Sequence, residues 1–191
     1  THVIRGDDHV NNTPRQINIL KALGAPIPQY VHVPMILGAD GERLSKRHGA
    51  VSVLHYRDQG YLPEALFNYL ARLGWSHGDE EIFSREQLIE WFDLSAISHS
   101  PARFNEEKLA WLNAHYLKIA DDDRLVQLLL PFLRERVCEI SNADVLPGIV
   151  NLLKGRVSTL AEMADAAIYF FRVVEPPQTL KIEYFKPEIR P

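Results

Sequence analysis

The residues of this 191-residue chain best suited to chemistry fall in two short stretches near its start. In Gly41-Glu42-Arg43-Leu44-Ser45-Lys46-Arg47-His48-Gly49, Arg43, Lys46 and Arg47 surround a serine between two glycines. A lysine is a compact charge that can follow a moving phosphate, and a serine hydroxyl and glycine-freed backbone amides bond the same oxygens. Lys46, flanked by Ser45 and Arg47, suits neutralising a triphosphate as pyrophosphate leaves. Preorganised groups of this kind supply about 2.7–4 kcal/mol of transition-state stabilisation. The alternative is a solvated basic turn. The spacing is not GxxxxGK[ST], which excludes a P-loop nucleotide hydrolase. The second stretch is Arg5-Gly6-Asp7-Asp8-His9. An arginine at the carboxyl end of a strand, where open α/β sheets bind ligands, can hold a carboxylate by two parallel hydrogen bonds. Gly6 lets the chain turn close to that ligand. The alternative is that Arg5 pairs with Asp7 or Asp8. Consecutive Asp7, Asp8 and His9 point in different directions and do not form a transition-metal set.

The elements that must position these stretches can be read from the pattern. THVIRG is a β-branched run ending in glycine and reads as a buried strand leading into a loop. Asn12 or Thr13 can cap a helix with Pro14 in its first turn and Ile17, Leu20 and Leu23 on one face, ending at Gly24. HVPMILG reads as a second strand that Pro34 demotes toward an edge. Strand, helix, strand is one unit of an α/β domain, too little to bury a doubly wound sheet. Beyond residue 60 the pattern is helical. Pro63 opens a segment with Leu66, Tyr69, Leu70 and Leu73 on one face. Ser84 with Gln87, and Thr159 with Glu162, read as capping boxes, and Asn105 can cap the helix of Leu109 and Leu112. Leu125–Phe132 and Val145–Leu153 add two more, for five or six helices. Trp111, Leu112 and Tyr116 stand at helical spacing and read as core.

Composition sets the outer limits. At 46% hydrophobic and 24% charged, the chain is in the globular range and can hold one sizeable core or two small ones. A formal charge of −4 argues against retention on nucleic acid by overall charge, though a local basic stripe can still bind RNA. The single Cys138 excludes an internal disulfide framework and a multi-cysteine zinc site, and reads as a reduced residue of the cytoplasm. No apolar run reaches about 18 residues, so no membrane span is expected, nor does a signal peptide open the chain.

Taken in order, HVIRGDDHVNNTPRQ, HVPMILGADGERLSKRHGAVSV and YLPEALFNYLARLGWS resemble the second half of the catalytic region of bacterial glutamyl-tRNA synthetases, class I aminoacyl-tRNA synthetases. RLSKR stands where that family has its KMSKS signature, with Arg43 in place of the first lysine and the second kept as Lys46. The resemblance continues through FNEEKLAWLNAHYL and less distinctly to about residue 174. It implies a mainly α chain: residues 1–60 as the C-terminal remnant of a Rossmann-like α/β catalytic domain, 61–120 as a helical stem-contact domain, and 121–191 as the start of an α-helical anticodon-binding domain.

The resemblance also implies a chemistry. L-Glutamate and ATP, with Mg2+, form glutamyl-adenylate, in a step that depends on bound tRNA, and the glutamyl group passes to the 3' end of tRNA(Glu). Arg5 matches a glutamate-binding arginine and Lys46 the ATP-binding lysine of the signature loop. Ser45 and Arg47 are its phosphate-side neighbours, and Asp8 and His9 line the adenylate and terminal-adenosine pocket. Arg103, Lys108 and Lys118 are candidates for RNA backbone contact or simply solvated charges. A cytoplasmic monomer is expected. The family's HIGH signature and the cysteines that bind zinc in some members belong before Thr1, so the chain by itself is expected to be inactive. A glutaminyl-tRNA synthetase would turn β-rich where this chain continues as helices, and a glutamyl-queuosine tRNA-Asp synthetase would lack the helical extension. A noncatalytic tRNA-binding module is the alternative from another class.

Overall fold

The computed structural model describes residues 1–45, 52–136, 140 and 143–171. Lys46, Arg47 and Cys138 lie outside the described residues, as does the stretch from 172 on. The chain divides into two compact units, Thr1–Ile119 and a second that begins at Ala120.

The first unit opens with β1 (His2–Gly6), a 3-10 segment (Asp7–Asn12), α1 (Thr13–Ala22) and β2 (Gln29–Val33). β1 and β2 are parallel, with Arg5 opposite His32 and Gly6 opposite Val33. Parallel neighbours need a crossover, and the 3-10 segment and α1 provide it. Gly24, at φ +62°, turns the chain out of α1, a backbone angle that favours glycine. Two expectations fail here. THVIRG is half-exposed rather than buried, because two strands and one helix cannot cover both sheet faces. Neither Asn12 nor Thr13 caps α1, because the 3-10 segment feeds its backbone directly into the helix and Asn12 is already helical. No residue of α1 is buried, and Leu23 is 73% exposed.

HVPMILG is not one strand. Pro34 cannot donate to a ladder, so β2 stops at Val33 and β3 (Ile36–Leu37) pairs in parallel with β4 (Ala102–Arg103). A tight hairpin follows, in which Leu37 bridges Arg43 antiparallel and Gly41 takes φ +81°. After α2 (Val53–Asp58) come α3 (Pro63–Gly74), α4 (Arg85–Trp91) and α5 (Glu106–Ile119). Leu66, Tyr69 and Leu73 of α3 pack with Leu109 and Leu112 of α5 and with Tyr56. Two buried asparagines tie this core together. Asn113 Oδ1 accepts from the Leu62 backbone N–H at 2.8 Å. Asn68 Oδ1 accepts from the Phe83 N–H at 3.2 Å and the Tyr116 hydroxyl at 2.8 Å, while its Nδ2 donates to the Glu81 carbonyl at 3.0 Å. Ser84 and Gln87 form the expected reciprocal capping box, and Asn105 Oδ1 caps α5 by accepting from the Lys108 N–H. Trp111 is a correction: it is 51% exposed, because Leu109, Leu112, Asn113 and Leu117 take the buried face of α5 and Trp111 points the other way. Leu70 of α3 and Ile89 of α4 are likewise exposed.

In the second unit α6 (Asp122–Arg136) presents Leu125, Leu129 and Leu133 at four-residue spacing, all fully buried. They meet α7 (Leu146–Leu153) and α8 (Leu160–Ala167), whose Ile149, Val150, Met163 and Ala164 are also buried. Thr159 caps α8 by accepting from the Glu162 N–H, while the Glu162 carboxylate reaches the Ser158 N–H at 2.7 Å. Among the described residues no helix is long and apolar enough to cross a membrane.

Candidate active site

Arg5 is the best-organised charge in the first unit. It is the penultimate residue of β1, and the register puts His32 of β2 opposite it while Thr13 and Gln16, three residues apart on α1, share a face toward it. Its Nη1 donates to Gln16 Oε1 at 2.8 Å and its Nη2 to Thr13 Oγ1 at 2.6 Å, with a longer bond from Nε to His32 Nε2 at 3.4 Å. The guanidinium carbon lies 5.1 Å from the centre of the Tyr30 ring, in reach of its negative face. Among the described residues no carboxylate forms an ion pair with Arg5. The alternative pairing with Asp7 or Asp8 is therefore absent, and a half-buried cation is held rigid by neutral groups.

Asp8 turns elsewhere. Its Oδ2 is 3.3 Å from Arg43 Nη2, which joins the two sequence stretches across 35 positions. Its Oδ1 lies so close over Gly6 that a Cβ there would approach to 2.5 Å, so glycine at this position leaves room for the carboxylate. His9 is exposed; its Nδ1 is 3.3 Å from Asn12 Nδ2, and its Nε2 is 4.0 Å from Asp8 Oδ1.

Arg43 belongs to the hairpin that leads to Lys46. Backbone bonds from Gly38 N–H to Glu42 O and from Leu44 N–H to Ile36 O bracket its turn, and Glu42 N–H donates to Asp40 Oδ1 at 3.0 Å. Leu44 and Ser45 continue half-buried from it. A cleft of about 500 Å³ beside the hairpin is lined by Leu44, Tyr56, Arg103, Phe104 and Glu106. Burial, reinforced by Glu106, pushes the Tyr56 phenol up to about 12, so it faces that cleft as a neutral hydroxyl. Of the other cations expected at RNA, Lys108 pairs with Glu81, whose carboxyl it holds below the usual range through a direct hydrogen bond.

The structure thus brings Asp8 to Arg43, and Arg5 to Thr13, Gln16, Tyr30 and His32. Tyr30, His32, Thr13 and Gln16 are the residues that sequence reasoning missed. Thr13 and Gln16 carried a weak signal in their helical spacing after Pro14. His32 and Tyr30 carried none, since only the strand register sets them against Arg5.

A family model described as tRNA synthetases class I (E and Q), catalytic domain, matches residues 1–111, and one described as anticodon binding domain matches residues 124–189. The glutamate–tRNA ligase of Nitrosomonas europaea is 77% identical over 191 residues, covering 100% of this chain and 41% of the relative. That of Nitrosospira multiformis is 70% identical over 192 residues, with the same coverage. The chain spans about two fifths of the length of these curated relatives. Among solved structures, a glutamate tRNA ligase from Elizabethkingia meningosepticum in complex with its amino acid superposes with a TM-score of 0.82 at 30% identity, over 98% of this chain and 41% of that one.

Proposed function

This chain belongs to the class I tRNA synthetase family of the E and Q type, and we propose that it is part of a glutamate–tRNA ligase. In this reading the carboxylate of L-glutamate attacks the α-phosphate of MgATP, forming glutamyl-adenylate and releasing pyrophosphate. The glutamyl group then passes to the 3' end of tRNA(Glu), and AMP leaves. No protein nucleophile is required, and the rate comes from positioning and charge stabilisation. The activity belongs to the longer protein, in the bacterial cytoplasm and on a single chain, with residues from Ala120 on contributing to anticodon binding. The high identity to ligases named for glutamate favours that substrate over glutamine.

The observation that carries the reading is Arg5: a cation held by three neutral acceptors and paired with no described carboxylate is suited to a carboxylate ligand. Lys46 is assigned to the ATP phosphates, with Ser45 and Arg47 beside it and Arg43 and Leu44 at the base of the same signature. Asp8 and His9 are assigned to the adenylate and terminal-adenosine pocket. ATP–pyrophosphate exchange in the complete protein with tRNA present tests both principal roles. Arg5→Ala is expected to raise the glutamate requirement about 10- to 100-fold, the worth of one or two charged hydrogen bonds. Lys46→Ala is expected to lower exchange about 100- to 1000-fold and leave tRNA binding nearly intact. Equal losses of exchange and tRNA binding would refute the Lys46 assignment, and an unchanged glutamate requirement the Arg5 one.

A further inference from the structure

Of the five N–H donors of a guanidinium, Arg5 commits three, to Gln16, Thr13 and His32. Two remain, the number that a carboxylate takes in a fork-to-fork pair. None of the three acceptors carries a negative charge. Thr13 Oγ1 lies 3.0 Å from His32 Nε2, and that nitrogen also accepts from Arg5 Nε. In the bond from Arg5 Nε the imidazole nitrogen serves as the acceptor. The Tyr30 ring attracts the cation without neutralising it. The nearest acidic side chain in sequence to turn toward a cation, Asp8, is spent on Arg43.

We propose that Gln16, Thr13 and His32 are positioning residues that hold Arg5 through neutral acceptors only, and that this neutrality creates the site's demand for an anionic, carboxylate-bearing amino acid. The inference deepens the functional reading above and rests on it. Its physical core is a competition. A half-buried cation recruits a counter-charge, and among the described residues the cradle supplies hydrogen bonds but no charge, so the ligand must bring it. A carboxylate in the cradle would satisfy Arg5 internally and leave the substrate to displace an existing ion pair.

Gln16 is the position at which to test this, because Gln16→Glu keeps length and shape and exchanges only the amide for a carboxylate 2.8 Å from Nη1. Gln16→Met is the complementary variant, deleting the hydrogen bond and adding no charge. The measurements are L-glutamate binding by calorimetry, and glutamate and ATP dependence of pyrophosphate exchange, in the complete protein with tRNA. Gln16→Glu is expected to raise the glutamate KM roughly 30-fold or more, with an unchanged KM for ATP and an undiminished thermal midpoint. Gln16→Met is expected to raise it only about 3- to 10-fold. A purely structural role for Gln16 gives the reverse order, since glutamate preserves the acceptor that methionine removes. Wild-type glutamate dependence in Gln16→Glu, or a larger effect of Gln16→Met, overturns the proposal while the ligase reading stands. A wild-type protein indifferent to glutamate overturns both.

Discussion

Gln16 and Asn68 are both amides that fasten neighbouring elements of the first unit, and they leave opposite conditions behind. Asn68 is fully buried with both its polar atoms paired: its oxygen accepts twice, its nitrogen donates to a carbonyl, and every partner is neutral. Gln16 is half-exposed and spends its oxygen on a cation whose remaining donors face no described carboxylate. The surroundings follow the same division. The α3–α5 pair is packed with Leu66, Tyr69, Leu109 and Leu112, whereas α1 has no buried residue. A neutral polar network paired within an apolar core specifies one packing, while a charged one with donors to spare at a thin edge suits the proposed ligand site. Stability and the proposed chemistry therefore fall to different parts of one compact unit.

The sharpest way to break this division is to delete apolar volume on each side. Leu109→Ala, in the fully buried stripe of α5, is expected to cost about 2–5 kcal/mol in a urea melt. Ile19→Ala on α1, where the side chain is 60% exposed, is expected to fall within about 0.5 kcal/mol. Comparable losses would mean that the α/β segment carries a core of its own. Asn68→Ala comes next. It orphans the Phe83 N–H and the Glu81 carbonyl, at roughly 1–3 kcal/mol for each buried group left unpaired. A change of less than a few tenths would show that water enters and that the network is not closed.

The smallest effect belongs to a charged counterpart in the second unit, where Lys154 Nζ donates to Asp122 Oδ1 at 2.6 Å and Asn151 donates to the other oxygen. The Lys154 hydrogen bond, then that of Asn151, holds the Asp122 carboxyl below its usual range. A depressed carboxylate stabilises the fold above its unfolded pKa and loses that contribution as pH falls through the lower folded value. Acid melts below about pH 4 should therefore show a steeper loss in the wild type than in Lys154→Met. Parallel curves would assign the shift no role in stability.

The legible and illegible parts of the molecule divide for the same reasons. Helices α3, α5, α6 and α7 were readable because one apolar face repeats along each, and the Ser84–Gln87 capping box because its partners are three residues apart. The two candidate stretches stood out by residue type, and their roles are proposals. What escaped was anything set by a partner distant in sequence. Pro34 announced trouble in the second strand, but that Ile36–Leu37 would pair with Ala102–Arg103 depends on how α2, α3 and α4 fold between them. Trp111 sits one position off the buried stripe, and helical spacing alone did not say which face would be covered.

By itself, the sequence determined the mainly helical character, the β–α–β opening and the residue types of the candidate site, because periodicity, caps and side-chain chemistry are local properties. Only the tertiary structure decided what each charge meets. The parallel register set His32 against Arg5, the crossover helix turned Thr13 and Gln16 toward the same guanidinium, and the hairpin carried Arg43 back to Asp8. The candidate site is built from contacts of about 3 Å between residues up to 35 positions apart, and pairing of that range is fixed by packing rather than by neighbours along the chain.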